Sequence, residues 1–231
     1  MSDETGSTGR GPSASGDHLA AVFEALQLSE GLHELRPPAD ETSLLAVEAR
    51  LGRELPAGLK RLYAMADGFH LFLGNLNIVP AGPGTFTLLD HSEMLRNAGA
   101  PIPQELLVLG NFGGDESFGL WYPPDASPDD PTPVVEIGEI AGPDCMAIDG
   151  TDLPVFLLGW CAYYLALYEA PREALEAIGL PAELWDHERT SSSAPYLAWA
   201  DPALPRPDPD PYLDRLDVAA VRAFLERPAR D

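Results

Sequence analysis

The sequence predicts an α+β fold, a mixed or antiparallel central sheet with helices packed on it, followed by a helical C-terminal extension. Three observations carry this. Residues 42–68 read as two short helices with a sharp turn between them, ending where an apolar strand begins. Residues 106–122 place two strand-like runs on either side of a Gly/Asp-rich turn, Asn111-Phe112-Gly113-Gly114-Asp115-Glu116. Residues 153–167 form one long apolar segment with a capping aspartate before it.

The elements follow in order. Residues 1–16 are Ser, Thr, Gly and Pro with few apolar groups, so a disordered tail is expected. Leu19, Val22, Phe23, Leu26 and Leu28 suggest a first helix over 17–33, and Pro37-Pro38 breaks the chain. Thr42 or Ser43 can cap a second helix whose apolar positions are Leu44, Leu45, Val47 and Leu51. Gly52 stands where a helix commonly stops, because glycine enters the left-handed conformation without steric cost. Pro56 suits the first turn of a third helix, whose stripe is Leu55, Leu59, Leu62 and Tyr63. Gly68 ends it.

A single strand is expected over 70–79, and another at 85–88. Asp90 then caps a short helix to residue 98. Strands are expected at 106–110, 117–122, 134–138 and 145–148. Asp152 caps the apolar helix, with Pro154 in its first turn. The pattern changes after Pro171. Helices at 172–178 and 181–188, a serine linker at 191–193, an extended Pro/Asp segment at 202–211 and a last amphipathic helix through Leu213, Leu216, Val218, Val221, Phe224 and Leu225 are expected. The domain therefore spans 17–170, with 171–231 as an extension.

With 231 residues, 45% of them hydrophobic and 22% charged, one sizeable core is possible. No stretch has the length and apolarity of a membrane helix. The opening Met-Ser-Asp-Glu lacks a basic flank and an apolar run, so no secretory signal and a cytoplasmic location are expected. Cys145 and Cys161 lie in apolar surroundings and read as buried thiols.

Charge restricts function. There are 37 acidic and 14 basic residues, a formal net charge of −23. No Lys or Arg occurs between Arg96 and Arg172, and Lys60 is the one lysine. Nucleic acid is disfavoured as a partner, because phosphate contacts need cations. An anionic membrane surface would repel the chain. A cationic protein is the electrostatic complement, although acidity by itself also serves solubility.

Four catalytic motifs nearly form, and each lacks a required residue. Asp149-Gly150-Thr151 resembles half of a phosphatase motif, but Ala147 holds the nucleophile position. Ser117-Phe118-Gly119 resembles a nucleophile elbow whose leading glycine is Asp115. His187-Glu188 opens like a zinc-protease helix, with Ser191 where the second histidine belongs. Gly82-Pro83-Gly84 lacks the glycine and lysine of a phosphate loop. His91 and Glu93 could form an acid/base pair; such residues more often line a solvated helix face. No cysteine or histidine cluster has metal spacing.

The run Glu48-Ala49-Arg50-Leu51-Gly52-x-x-Leu55-Pro56-x-x-Leu59-x-x-Leu62-Tyr63, closing at Asp67-Gly68, resembles the opening of the SMI1/KNR4 family of the SUKH superfamily. Residues Leu107 to Leu120 are similar to that family's central hairpin, and Val134-Val135 with the helix at 153–165 fit its last strand and closing helix. The resemblance covers residues 40–169. It implies an α+β domain without catalytic residue or cofactor. Many bacterial members are implied to be immunity proteins that bind a toxin domain, often a nuclease, by direct occlusion. A regulatory scaffold of the same fold is the alternative, and a hydrolase is a third.

The residues expected to contact such a basic partner are Asp115, Glu116, Trp121 and Tyr122, then Asp67, His70, Asp90 and Glu93. The acids would offer carboxylates where a nuclease expects phosphates. Trp121 and Tyr122 alternate along a strand, so one should face out and anchor the contact, with Phe118 as a further candidate.

Overall fold

The computed structural model describes residues 17–82, 86–97, 102–114, 116–137, 145–186, 192–204 and 216–217. Seven strands follow one another as an antiparallel meander: β1 (His33–Leu35), β2 (Phe69–Leu71), β3 (Leu76–Ile78), β4 (Leu106–Asn111), β5 (Ser117–Trp121), β6 (Val134–Ile137) and β7 (Cys145–Gly150). A two-residue β8 (Leu216–Asp217) pairs with β7 at the far edge. Of the two expected sheet types, the antiparallel one is found. The α-helices are α1 (His18–Leu28), α2 (Glu41–Leu51), α3 (Ala57–Met65), α4 (Leu88–Asn97), α5 (Leu153–Leu167), α6 (Arg172–Ala177) and α7 (Ala194–Ala200).

Local chemistry explains the ends. Asp17 caps α1 by accepting the Ala20 N–H, and the helix stops at Leu28, short of the expected residue 33. Gly31 then turns with φ +96°, and His33 opens β1 instead of continuing the helix. The cap of α2 is Asp40, which accepts the Ser43 N–H at 2.7 Å, so neither Thr42 nor Ser43 has that role. Gly52 stops α2 in the left-handed region, as its position predicts. Leu45 faces solvent, while Val47 is buried. Leu55, Leu59, Leu62 and Tyr63 are all fully buried. Glu48 joins α2 to α3, accepting the Leu55 N–H at 2.9 Å and pairing with Lys60 at 3.1 Å.

Two strand expectations fail. Residues 85–88 form no described strand; α4 already begins at Leu88. Asp90 is therefore not the cap but lies in the first turn, where its carboxylate accepts the Thr87 N–H and hydroxyl at 3.1 and 2.5 Å, and the His91 N–H donates to the Thr87 carbonyl. The expected strand over 70–79 is two strands, β2 and β3, folded back through a 3₁₀ turn at Phe72–Gly74.

The two sheet faces differ. One carries Phe69, Leu71, Leu76, Ile78, Leu107, Phe118, Leu120 and Val134 into the main core beneath α1, α3 and α5. On the other, Leu106, Val108, Trp121 and Val135 form a second cluster with Ile102, against which Leu95 of α4 packs. Towards β1 this second face is polar. The cross-strand register aligns Glu34, His70, Asn77, Asn111 and Ser117 in one row. Side chains directly opposite one another share a face.

The extension is not an appendage as far as residue 204. Ala174, Leu175, Ile178, Leu180, Tyr196 and Ala200 belong to the main core. The 181–188 helix shortens to a 3₁₀ turn at Ala182–Leu184, and α7 lies just past the expected serine linker. A Cβ on Gly159 of α5 would meet Leu197 at 2.9 Å and Ala200 at 3.2 Å, so glycine lets α7 settle on α5. The 17–170 boundary is thus too early, because α5 needs α6 and α7 for cover. Residues 1–16, most of the Pro/Asp segment and most of the last expected helix lie outside the described residues; within that helix, Leu216 and Asp217 are in β8. Cys161 is a free, buried thiol, pushed up by burial. No helix among the described residues is long and apolar enough to cross a membrane.

Tyr196 is fully buried against Tyr163, with ring centroids 5.7 Å apart. Tyr196→Ala is expected to destabilise the protein by about 3–5 kcal/mol in urea unfolding. A loss within about 0.5 kcal/mol, typical of surface sites, would instead make α7 an appendage.

Burial pushes the Asp152 carboxyl above its ordinary value; the N–H groups of Leu153 and Thr132 oppose this, and nearby Asp201 adds to it. Its folded value exceeds its unfolded one, so this contribution is fully present below the unfolded value and lost as pH rises through the folded one. Asp152→Asn keeps an acceptor for the Leu153 N–H and removes the charge. It is expected to raise the Tm at neutral pH and flatten the slope across the acidic range, read by thermal denaturation.

Candidate functional site

The turn between β2 and β3 is strained and tightly held. Phe72, Leu73 and Gly74 have φ of 52°, 58° and 91°. Leucine and phenylalanine rarely occupy this region, and each such residue costs on the order of 1–3 kcal/mol. The surroundings enforce it. The buried Phe72 ring stacks on Tyr164 at 5.1 Å and Tyr168 at 6.3 Å, with His33 edge-on at 5.6 Å. The Leu73 N–H donates to the Leu32 carbonyl at 2.9 Å. The Asn75 amide donates to the Phe72 carbonyl and the Tyr168 hydroxyl, each at 2.7 Å, and Tyr164 donates to the Asn75 carbonyl. Glu169, with φ 50°, adjoins Tyr168. All three described non-glycine residues with positive φ therefore gather here.

The strain has a result. Phe72 turns inward and Leu73 outward, where it is 72% exposed, the most exposed of the described large hydrophobic residues. Beside it lies an open groove of about 400 Å³ whose walls include Leu32, His33, Glu34, His70 and Leu73. Across Leu32 a second hollow of about 550 Å³ includes Leu28, Glu30, Tyr168 and Glu169. The His33 Nε2–H donates to the Leu26 carbonyl at 2.7 Å, and its Nδ1 is buried. Burial holds its imidazole below the ordinary histidine value, and the backbone bonds to Leu26 and Leu32 oppose that shift.

The polar row has a fixed hydrogen-bond sense. Asn77 Nδ2 donates to the Gly74 carbonyl at 2.7 Å and to Asn111 Oδ1 at 2.8 Å. Its Oδ1 therefore faces His70 Nδ1, 2.7 Å away, and a carbonyl oxygen can only accept. His70 Nδ1 must carry the hydrogen, which leaves Nε2 of the neutral ring as an acceptor.

Electrostatically, the described basic side chains are largely consumed. Arg50 pairs with Asp90 at 3.0 Å and Glu93 at 3.4 Å. Lys60 pairs with Glu48 at 3.1 Å and Glu54 at 3.2 Å, Arg61 with Asp17 at 2.5 Å, and Arg172 with Glu176 at 2.7 Å. Arg53 lies over the Tyr122 ring at 3.7 Å and donates to the Tyr122 and Pro123 carbonyls. Arg96 donates to the Pro103 and Leu106 carbonyls at 3.0 and 2.8 Å. Only Arg36 has no such partner among the described residues. Glu30, Glu34 and Glu169 pair with no described cation.

Of the eight expected contact residues, only His70 is at this site. Asp115 lies outside the described residues, and Glu116 is half-buried beside β5. Trp121 and Tyr122 are both buried, at 9% and 2% exposure, so neither faces out. Both sides are covered there: Trp121 lies in the cluster against which α4 packs, and Tyr122 lies beneath Arg53 with its hydroxyl on the chain between α2 and α3. Tyr122 donates its hydroxyl to the Glu54 carbonyl at 2.8 Å, and Phe118 is fully buried. Asp67 holds the chain after β3 by accepting the Ala81 and Gly82 N–H groups at 2.7 and 3.1 Å. Asp90 and Glu93 share Arg50. His91 is buried beneath Phe86, 5.0 Å between rings, while Glu93 turns to Arg50, so the possible acid/base pair is not assembled. Among the described residues, no group of three His, Cys, Asp or Glu side chains is placed to hold a metal ion. Leu73 was not among the expected residues, although Gly74-Asn75 inside an apolar run is a turn signal.

Leu73→Gly is expected to stabilise the protein by about 1 kcal/mol, because glycine accepts φ 58° freely and the lost side chain is solvent-exposed. Denaturant midpoints would report it; destabilisation would show that the Leu73 side chain supports the fold. Comparison of the chain with protein-family models and with curated proteins finds no match.

Proposed function

We propose that this is a non-catalytic binding protein that neutralises a basic toxin domain, such as a nuclease, by covering its active surface. The observation that carries this reading is the commitment of the basic side chains. Six of the seven described Lys and Arg residues are held by internal carboxylates, carbonyls or aromatic rings. Carboxylates such as Glu30, Glu34 and Glu169 are left unopposed on a preformed surface with an apolar projection at Leu73. Such a surface attracts a cationic protein over a distance and speeds encounter.

The resemblance of residues 48–68 and 107–120 to the SMI1/KNR4 family supports the same reading, since immunity to toxins is what that resemblance implies. The antiparallel sheet is compatible with it. A regulatory scaffold of the same fold is the alternative; it draws on the Pro/Asp segment and the last expected helix, most of which lie outside the described residues.

The test is to mix the full chain with the toxin domain encoded beside its gene. A stable complex is expected, with an association rate that falls about tenfold or more between low salt and about 0.5 M salt. Absence of a complex at low salt would overturn the proposal.

A further inference from the structure

We propose that the groove beside Leu73 is an arginine receptor, taking one guanidinium of a basic protein partner between the Glu34 carboxylate and His70 Nε2. This rests on the reading above that the partner is a basic protein. Glu34 and His70 are directly opposed across β1 and β2, so their side chains rise from the same face. Both are exposed and both line the groove. The Asn77 network orients His70 so that its outward nitrogen accepts. The polar groups offered by these two side chains are thus acceptors, and they suit a donor that is cationic and forked. Guanidinium matches this better than ammonium, because its N–H groups diverge in one plane and can reach two acceptors at once.

The apolar walls complete the fit. Leu32 and Leu73 flank the groove and can cover the alkyl stem of the entering side chain. Charge complementarity favours the same occupant. Arg36, just past β1, forms no ion pair with Glu34, and its backbone N–H donates to the Gly68 carbonyl. Nothing described fills the groove from within the chain. The Phe72–Tyr164–Tyr168 stack and the Asn75 bonds hold the turn in place, so the receptor needs no rearrangement to accept its ligand.

The experiment uses the isotope-labelled full chain and three probes: acetyl-arginine amide, acetyl-lysine amide and acetyl-citrulline amide, the last being neutral but nearly the same shape. Arginine amide is expected to shift the amide resonances of Leu32, Glu34, His70, Leu73 and Gly74, saturating at millimolar concentration. Lysine amide should bind more weakly, and citrulline amide should give no saturating shift. Glu34→Gln and His70→Phe, both at exposed positions, should each weaken arginine binding about tenfold while resonances elsewhere keep their positions. Equal binding of citrulline, shifts scattered over the acidic surface, or an unchanged affinity in Glu34→Gln would overturn the receptor. The toxin complex separates the two proposals. If it forms with wild-type affinity in Glu34→Gln, the groove is not the contact and the toxin reading stands. If arginine amide binds as expected and no toxin complex forms, the receptor stands and the toxin reading falls.

Discussion

A helix that is apolar around its whole circumference cannot leave any side to water, and α5 is such a helix. Leu153, Phe156, Leu157, Leu158, Cys161, Ala162, Tyr164, Leu165 and Ala166 are all buried. One flank rests on the sheet. The others require α1, α6 and α7, which is why the chain beyond Pro171 must return to the core. The same helix supplies Tyr164, which with Tyr168 just past its end grips Phe72. The placement of the β2–β3 turn thus depends on the burial of a helix distant in sequence.

That turn and the charge pattern are complementary devices. The internal pairing of Arg50, Lys60, Arg61 and Arg172 stabilises the fold only modestly, since exposed ion pairs contribute about 0–1 kcal/mol. Its larger effect is on the exterior, where these four cations already face carboxylates of the chain itself. The turn adds shape to that field. It fixes one leucine outward beside an orderly row of hydrogen-bonding groups, where field alone would have no specificity.

Much of the architecture was legible in the residues. The Leu55–Leu59–Leu62–Tyr63 stripe, the Gly52 stop, the 106–122 hairpin and the Asp152 cap all follow from spacing and capping chemistry, which act locally. Cap and end positions missed by a few residues are local; the larger errors share a cause, since a distant contact decides the outcome. Residues 70–79 are apolar enough for one strand, but Tyr164, Tyr168 and Leu32 force the turn at Phe72 and Leu73. Trp121 and Tyr122 obey strand alternation, yet α4 covers the face that alternation alone would leave open. Asp67, Asp90 and Glu93 look like free carboxylates in the sequence; their backbone and arginine partners come from other elements. His70 was legible as a polar residue in an apolar run, whereas its fixed tautomer depends on Asn77 and Asn111, which only the sheet register brings beside it.

Lys60 carries a last consequence. Its ammonium is shared by Glu48 and Glu54, and those hydrogen bonds hold it above the ordinary lysine value. It is also the one lysine in the chain. Acylating reagents and amine-directed crosslinkers need the unprotonated ε-nitrogen, so within this chain they meet one sluggish side-chain address. Carboxylate-directed coupling, by contrast, has 37 acidic residues to draw on, and would be the more informative way to map whatever the protein touches.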